Sequence, residues 1–167
     1  MRAVLFVGTI ASVVPGGNIS HAQTMPVTEG ETLSGHRVVL VNEIRGRTVL
    51  LVAGFSKDAG SGSGEWVKAI HDDPVLARVP VYQLASLEHA PALIRGMIKS
   101  GMRKQTSAAE QDRFLVFTQD DSRWRSYFGV TTDKDPYVVL LDAAGQVRWH
   151  GHGAAANLEP LVRAVLK

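Results

Sequence analysis

The stretch that most restricts how this chain can fold is Asp133-Lys-Asp-Pro-Tyr-Val-Val-Leu-Leu-Asp-Ala-Ala-Gly-Gln-Val-Arg-Trp-His-Gly-His-Gly153. Tyr137 to Leu141 is an unbroken apolar run with an aromatic and two β-branched residues, the pattern of a strand covered on both faces. Asp142-Ala-Ala-Gly145 supplies a tight turn, in which Gly145 can take a positive φ. Residues 146–150 then alternate, putting Val147 and Trp149 on one face and Arg148 and His150 on the other. A closing helix follows, with Asn157 as its cap and Pro160 in its first turn. Leu158, Leu161, Val162, Val165 and Leu166 form its apolar face. Pro136, at the head of the first strand, holds Asp135 extended.

Upstream, residues 37–41 and 48–53 are strand candidates, separated by a hairpin-sized gap ending at Gly46. The second of these is wholly apolar and belongs at the centre of a sheet. Residues 54–64, rich in Gly and Ser, read as a loop with Ser63 as the cap of a short helix on which Trp66, Val67 and Ile70 face inward. Asp72-Asp73-Pro74 ends that helix. Further strands are expected over 79–84 and 113–118, and helices over 90–104 and 122–128. This alternation predicts an α/β fold, a three-layer α/β/α sandwich around a central mixed β-sheet spanning residues 36–167, with 23–35 as a polar lead-in.

At the N-terminus, Arg2 precedes an apolar run from Ala3 to Val14, which Pro15-Gly16-Gly17 breaks before Ser20-His21-Ala22. These are the three parts of a secretory signal peptide over residues 1–22, and the run is short of the ~20 apolar residues a spanning helix needs. The expected location is therefore periplasmic or extracellular. An uncleaved N-terminal membrane anchor, or a buried N-terminal strand, is the other reading.

The chain of 167 residues contains no cysteine. Thiol nucleophiles, disulfide exchange, thiol peroxidase chemistry and thiolate metal sites are thereby excluded. A formal charge of +2 does not call for nucleic acid. No cofactor is expected.

A strand led by proline, a hairpin and a closing helix together resemble the second half of a thioredoxin fold. The extra strand and helix before Pro136 are similar to proteins of the peroxiredoxin and thiol-disulfide-interchange type. A narrower resemblance rests on Val49-Leu-Leu-Val-Ala-Gly-Phe-Ser56, Glu65-Trp66, Val79-Pro-Val-Tyr-Gln-Leu84, the Tyr137-to-Asp142 strand with Val147-Arg-Trp149, and Gly151-His-Gly153. These look like a mitochondrial assembly-factor family that lacks the thioredoxin cysteine pair and helps build the membrane sector of F-type ATP synthase. The thioredoxin resemblance implies that Pro136 is cis and that Asp135 and Pro136 face the 56–64 loop across a groove receiving an extended peptide. Ser61, Ser63, Trp66 and Tyr137 would line that groove; for Trp66 and Tyr137 the competing reading is that both are core.

Three other features could carry function. The Gly/Ser stretch follows a strand and opens a helix, a setting for an anion site, although Glu65 stands where a further glycine would be needed and no Gly-Lys-Ser/Thr is present. His150 and His152 would share a strand face; a zinc site needs three or four ligands, so the pair is a weak metal candidate. On the 90–104 helix, Leu93, Ile94, Met97, Ile98 and Met102 form an apolar side, while Arg95, Lys99, Arg103 and Lys104 form a basic one. That basic stripe reads either as a solvated face or as a contact for an acidic partner or anionic lipid headgroups. The chain thus reads first as a redox-inactive adaptor or assembly factor holding a polypeptide client or joining a membrane-associated complex. The alternative is a small-ligand or anion-binding protein or enzyme using 56–64 with His150 and His152.

Overall fold

A computed structural model describes residues 24–167; the expected signal peptide lies outside the described residues. The elements are β1 (Glu29–Thr32), β2 (Arg37–Val39), α1 (Leu40–Ile44), β3 (Val49–Gly54), α2 (Lys57–Asp72), β4 (Val81–Ser86), α3 (Ala92–Gln105), α4 (Ala108–Gln111), β5 (Phe114–Phe117), α5 (Asp121–Phe128), β6 (Tyr137–Leu141), β7 (Val147–His152) and α6 (Glu159–Val165). One mixed sheet runs in the order β2-β1-β5-β4-β3-β6-β7. Strands β3, β4 and β5 are parallel, and β6 is antiparallel to β3. The three-layer α/β/α sandwich expected from the alternation is the fold that forms.

Period-two packing decides which side chain meets which layer. Val49, Leu51 and Ala53 of β3, with Tyr137, Val139 and Leu141 of β6, pack under α1 and α5 through Leu40, Ile44, Trp124, Tyr127 and Phe128. The opposite face sends Leu50, Val52, Val138 and Leu140 into α2 and α6, against Trp66, Val67, Ile70 and Leu161. Every residue of β3 and β6 is buried, as their continuous apolar runs require.

Two expectations fail locally. The strand at 37–41 does not form a hairpin with 48–53. Its first three residues pair instead with β1, inside the expected lead-in, and Leu40 onward turns into α1. Gly35, at φ 98°, makes the turn between β1 and β2. Residues 57–64 are not a loop but the first half of α2. Ser56, not Ser63, caps that helix, its Oγ accepting from Ala59 N at 3.2 Å. Ala59, Ser63, Trp66, Val67 and Ile70 form one buried stripe at helical spacing, whose small upper members hide it from a reading that looks for large apolar residues.

Candidate functional site

Strands β3 and β4 finish at the same end of the sheet, where open α/β folds place their ligands. Pro136 lies here because β6 runs antiparallel to β3 and its first residue, Tyr137, pairs with Ala53. The proline ring rests on α2: a Cβ added at Gly62 would lie 2.9 Å from Pro136 Cγ. At the next residue of α2, Ser63 Oγ would lie 3.0 Å from a Cβ added at Gly54. Two glycines therefore let the strand end, the helix and the proline meet.

The expected juxtaposition of Pro136 with the 61–63 region is present, yet the bond preceding Pro136 is trans; no cis peptide occurs among the described residues. The cis-proline groove implied by the resemblance is corrected on that point. Its expected lining is also spent on internal bonds. Ser63 is buried and donates to Ala59 O at 3.0 Å. The Trp66 indole, 3% exposed, donates to Gly153 O at 2.7 Å. Tyr137 is buried, its hydroxyl accepting from Thr131 N and Thr132 N at 2.9 and 3.0 Å. Ser61 is exposed on α2. The anion-loop reading falls with the loop itself, and Asp58 in the first turn of α2 occupies the positive end of that helix with a charge of its own.

Chain-remote charges lock the same end. Arg125 of α5 bridges the Asp121 and Asp133 carboxylates, donates to Phe55 O at 3.3 Å, and stacks over the Phe55 ring at 5.1 Å. Ser56 Oγ donates to Asp133 O at 2.5 Å, and Asp121 N donates to Glu88 at 2.7 Å. His89 Nε2 lies 3.2 Å from Asp121. Burial alone would raise the pKa of Asp121, which is 2% exposed. The neighbouring Ser86 hydroxyl and the Arg125 guanidinium outweigh that and hold it below the usual carboxylate range. Asp121 Oδ1 and Ser86 Oγ nevertheless find no partner of good hydrogen-bond geometry.

His152 Nδ1 sits 2.9 Å from Asp135 Oδ2, and its ring stacks on Tyr137 at 5.4 Å. An imidazole oriented by a carboxylate is half of a general-base arrangement. The second half is not assembled, because Ser56 and Ser63 donate to backbone carbonyls instead. His150 lies on the same face of β7 as His152, and the described residues contain no cluster of three or more metal-ligating side chains.

The basic stripe on α3 is largely consumed by the chain itself. Arg95 donates to Glu88 O and Ala90 O, each at 2.8 Å. Lys99 pairs with Glu31 at 2.8 Å, and Arg103 donates to Leu33 O at 2.5 Å. Lys104 alone of the four has no partner among the described residues. The apolar side of that helix is divided: Ile98 and Met102 pack against Leu33, Leu87 and Val116, whereas Leu93 and Met97 are 98% and 70% exposed. No helix among the described residues is long and apolar enough to cross a membrane.

Asp121, Arg125, Asp133, Glu88 and His89 escaped the sequence reading. Only the Asp121–Arg125 spacing of four on a helix was visible there; the other contacts join segments distant in the chain.

The chain is similar in structure to the exposed lipoprotein thioredoxin Etrx1 of Streptococcus pneumoniae, with 14% identity, a TM-score of 0.56, and coverage of 83% of this chain and 96% of that one. BsSco, a member of the Sco family of cytochrome c oxidase assembly proteins, aligns at 11% identity and a TM-score of 0.54 over 83% of this chain and 88% of its own. Reduced Prx3 of Vibrio vulnificus aligns at 16% identity and a TM-score of 0.52 over 88% and 99%. At such identities the likeness speaks for the fold alone, and the fold is thioredoxin-like. No curated protein sequence matches the chain. A family sequence model described as "ATP10 protein" matches residues 18–165.

Proposed function

This chain belongs to the ATP10 protein family, and we propose that within it the protein is a redox-inactive assembly factor that holds a polypeptide client while a membrane complex is built. An assembly-factor-type role follows from the family. The observation that supports the finer reading is the end of the sheet at Pro136. Thioredoxin-like proteins with a cysteine pair do their chemistry there, whereas here the place is filled by Gly62 against proline and by the ion pairs of Arg125 with Asp121 and Asp133. A scaffold with its reactive end closed and no thiol is suited to binding rather than turnover.

The client is an apolar subunit of a membrane complex, and the membrane sector of the F-type ATP synthase is the first to test. The protein acts outside the cytoplasm after cleavage following Ala22. Crosslinking in intact cells, fractionation and mass spectrometry test client and location together. The expected result is a mature chain starting at Gln23 in the extracytoplasmic fraction, joined to a subunit of a membrane complex. Recovery of an uncleaved cytoplasmic chain would overturn the location; crosslinks confined to soluble proteins unrelated to any membrane complex would overturn the client. Insulin reduction and peroxide consumption are expected at the level of the buffer.

A further inference from the structure

We propose, building on the client-holding reading above, that the client is held as an added strand on the outer edge of β7, through an extended segment with acidic side chains at alternate positions. The sheet has β7 at one border and β2 at the other. The β2 border is three residues long, whereas β7 presents six.

The register shows which main-chain groups that edge offers. Gly153 N donates to Pro136 O at 3.1 Å, so by antiparallel alternation the bonded pairs further along are Val138 with Gly151 and Leu140 with Trp149. The far side of β6 agrees. Leu50 N donates to Pro80 O beside β4, which leaves Leu51 and Ala53 to bond Val139 and Tyr137, and leaves Val138 and Leu140 to β7. The N–H and C=O of His150 and His152 therefore turn away from β6. No strand lies beyond β7 among the described residues, and both histidines are exposed. Helix α6 packs on the sheet face that carries Trp149. Arg148 is the extra residue of a bulge, where the register shifts between Leu140 and Leu141.

Beside this edge, between β7 and α6, lies a recess of about 500 Å³. It carries the side-chain charges of Arg148, Arg163 and Lys167 against that of Glu159 alone. Glu159 pairs with Arg163, while the approach of Arg148 to Asp142 is a loose 3.8 Å. A small anion or a lipid headgroup meets the cations but brings no donors and acceptors at strand spacing. An extended polypeptide brings both: main-chain groups for the edge, and alternate side chains that all fall on the α6 side. The β7 sequence Val147–His152 contains no carboxylate, so a second copy of this edge would leave the cations unneutralised. The edge thus selects a strand, and the recess selects an acidic one.

The test uses the full chain and a fluorescein-labelled peptide alternating valine and glutamate, read by polarisation, with a lysine-for-glutamate counterpart. Two further versions of the glutamate peptide carry N-methyl groups on its odd or its even residues, which removes donors from one side of the strand only. The glutamate peptide is expected to bind, and the lysine peptide to bind about tenfold more weakly. The two methylated versions should differ by about tenfold, because only one of them loses the donors that face β7. His150→Pro removes an outward donor at a position where an edge strand tolerates proline. It should bind the glutamate peptide about tenfold more weakly than His150→Ala, which keeps the N–H, with matching circular dichroism. Arg163→Glu should favour the lysine peptide. Equal affinities of the two methylated versions, or of the Pro and Ala variants, would overturn strand addition; displacement of the peptide by inorganic phosphate in that case would identify an anion recess only. A wild-type dimer in sedimentation that His150→Pro dissolved would give the edge to a second copy and overturn the assignment. Failure of the glutamate peptide to bind the wild-type chain would overturn it too, leaving the cellular crosslinks to judge the parent reading.

Discussion

The two ends of the central sheet pose opposite problems. At the Pro136 end, polar groups from four segments are tied to one another, and glycines let helix and strand close to contact. At the 142–146 end, Val27 and Val147 stay exposed, Arg148 approaches Asp142 only to 3.8 Å, and the enclosed Tyr127 hydroxyl, like Ser86 Oγ at the first end, has no partner among the described residues. The first end is tied together by ion pairs between chain-remote segments, and the second keeps apolar surface in water. A thioredoxin-like frame thus leaves its two ends free to differ, and side chains from chain-remote segments set the difference.

The comparison breaks most readily at Asp121. Asp121→Ala should cost about 2–4 kcal/mol in urea unfolding, since it strips a partner from Arg125, although the guanidinium keeps Asp133 and some solvent. A loss within experimental error would mean that the network only decorates the closed end. Acid should act on the same group. Its folded pKa is depressed, so its contribution is complete above the unfolded value near 4 and falls as pH drops through the folded one. Urea midpoints from pH 6 down to 2 should therefore decline less steeply in Asp121→Ala than in the wild type.

Gly62→Leu probes the glycine contact directly. It pushes a side chain into Pro136 and should cost about 1–3 kcal/mol. Tyr127→Phe carries the opposite sign. Removing a buried hydroxyl that lacks a partner should stabilise the protein by about 1 kcal/mol in thermal melts. A destabilised Phe variant would mean that the hydroxyl is already satisfied. The smallest effect is expected at Gly64, where an added methyl meets nothing within 4 Å: Gly64→Ala should gain about 0.5–1 kcal/mol from helix propensity alone.

Much of the architecture was legible because continuous apolar runs admit few structures. Tyr137 to Leu141 and the apolar core of residues 48–53 announced strands covered on both faces, and both are wholly buried. The sequence misled where small residues carried the pattern. Gly60, Ser61, Gly62, Ser63 and Gly64 have turn-like propensities, yet tertiary packing of Ala59 and Ser63 holds them in a helix. It misled again on α3, whose apolar side seemed continuous although the sheet reaches only Ile98 and Met102.

By itself, then, the sequence determined a cysteine-free α/β sandwich with the two-strand, one-helix ending and the family to which the chain belongs. Those facts depend on residue types and short-range periodicity. Tertiary structure decided the trans bond before Pro136, the binding of the basic stripe into the chain, and the place of β7 at the border of the sheet. Each of these depends on contacts between segments far apart in the chain, which local composition does not encode.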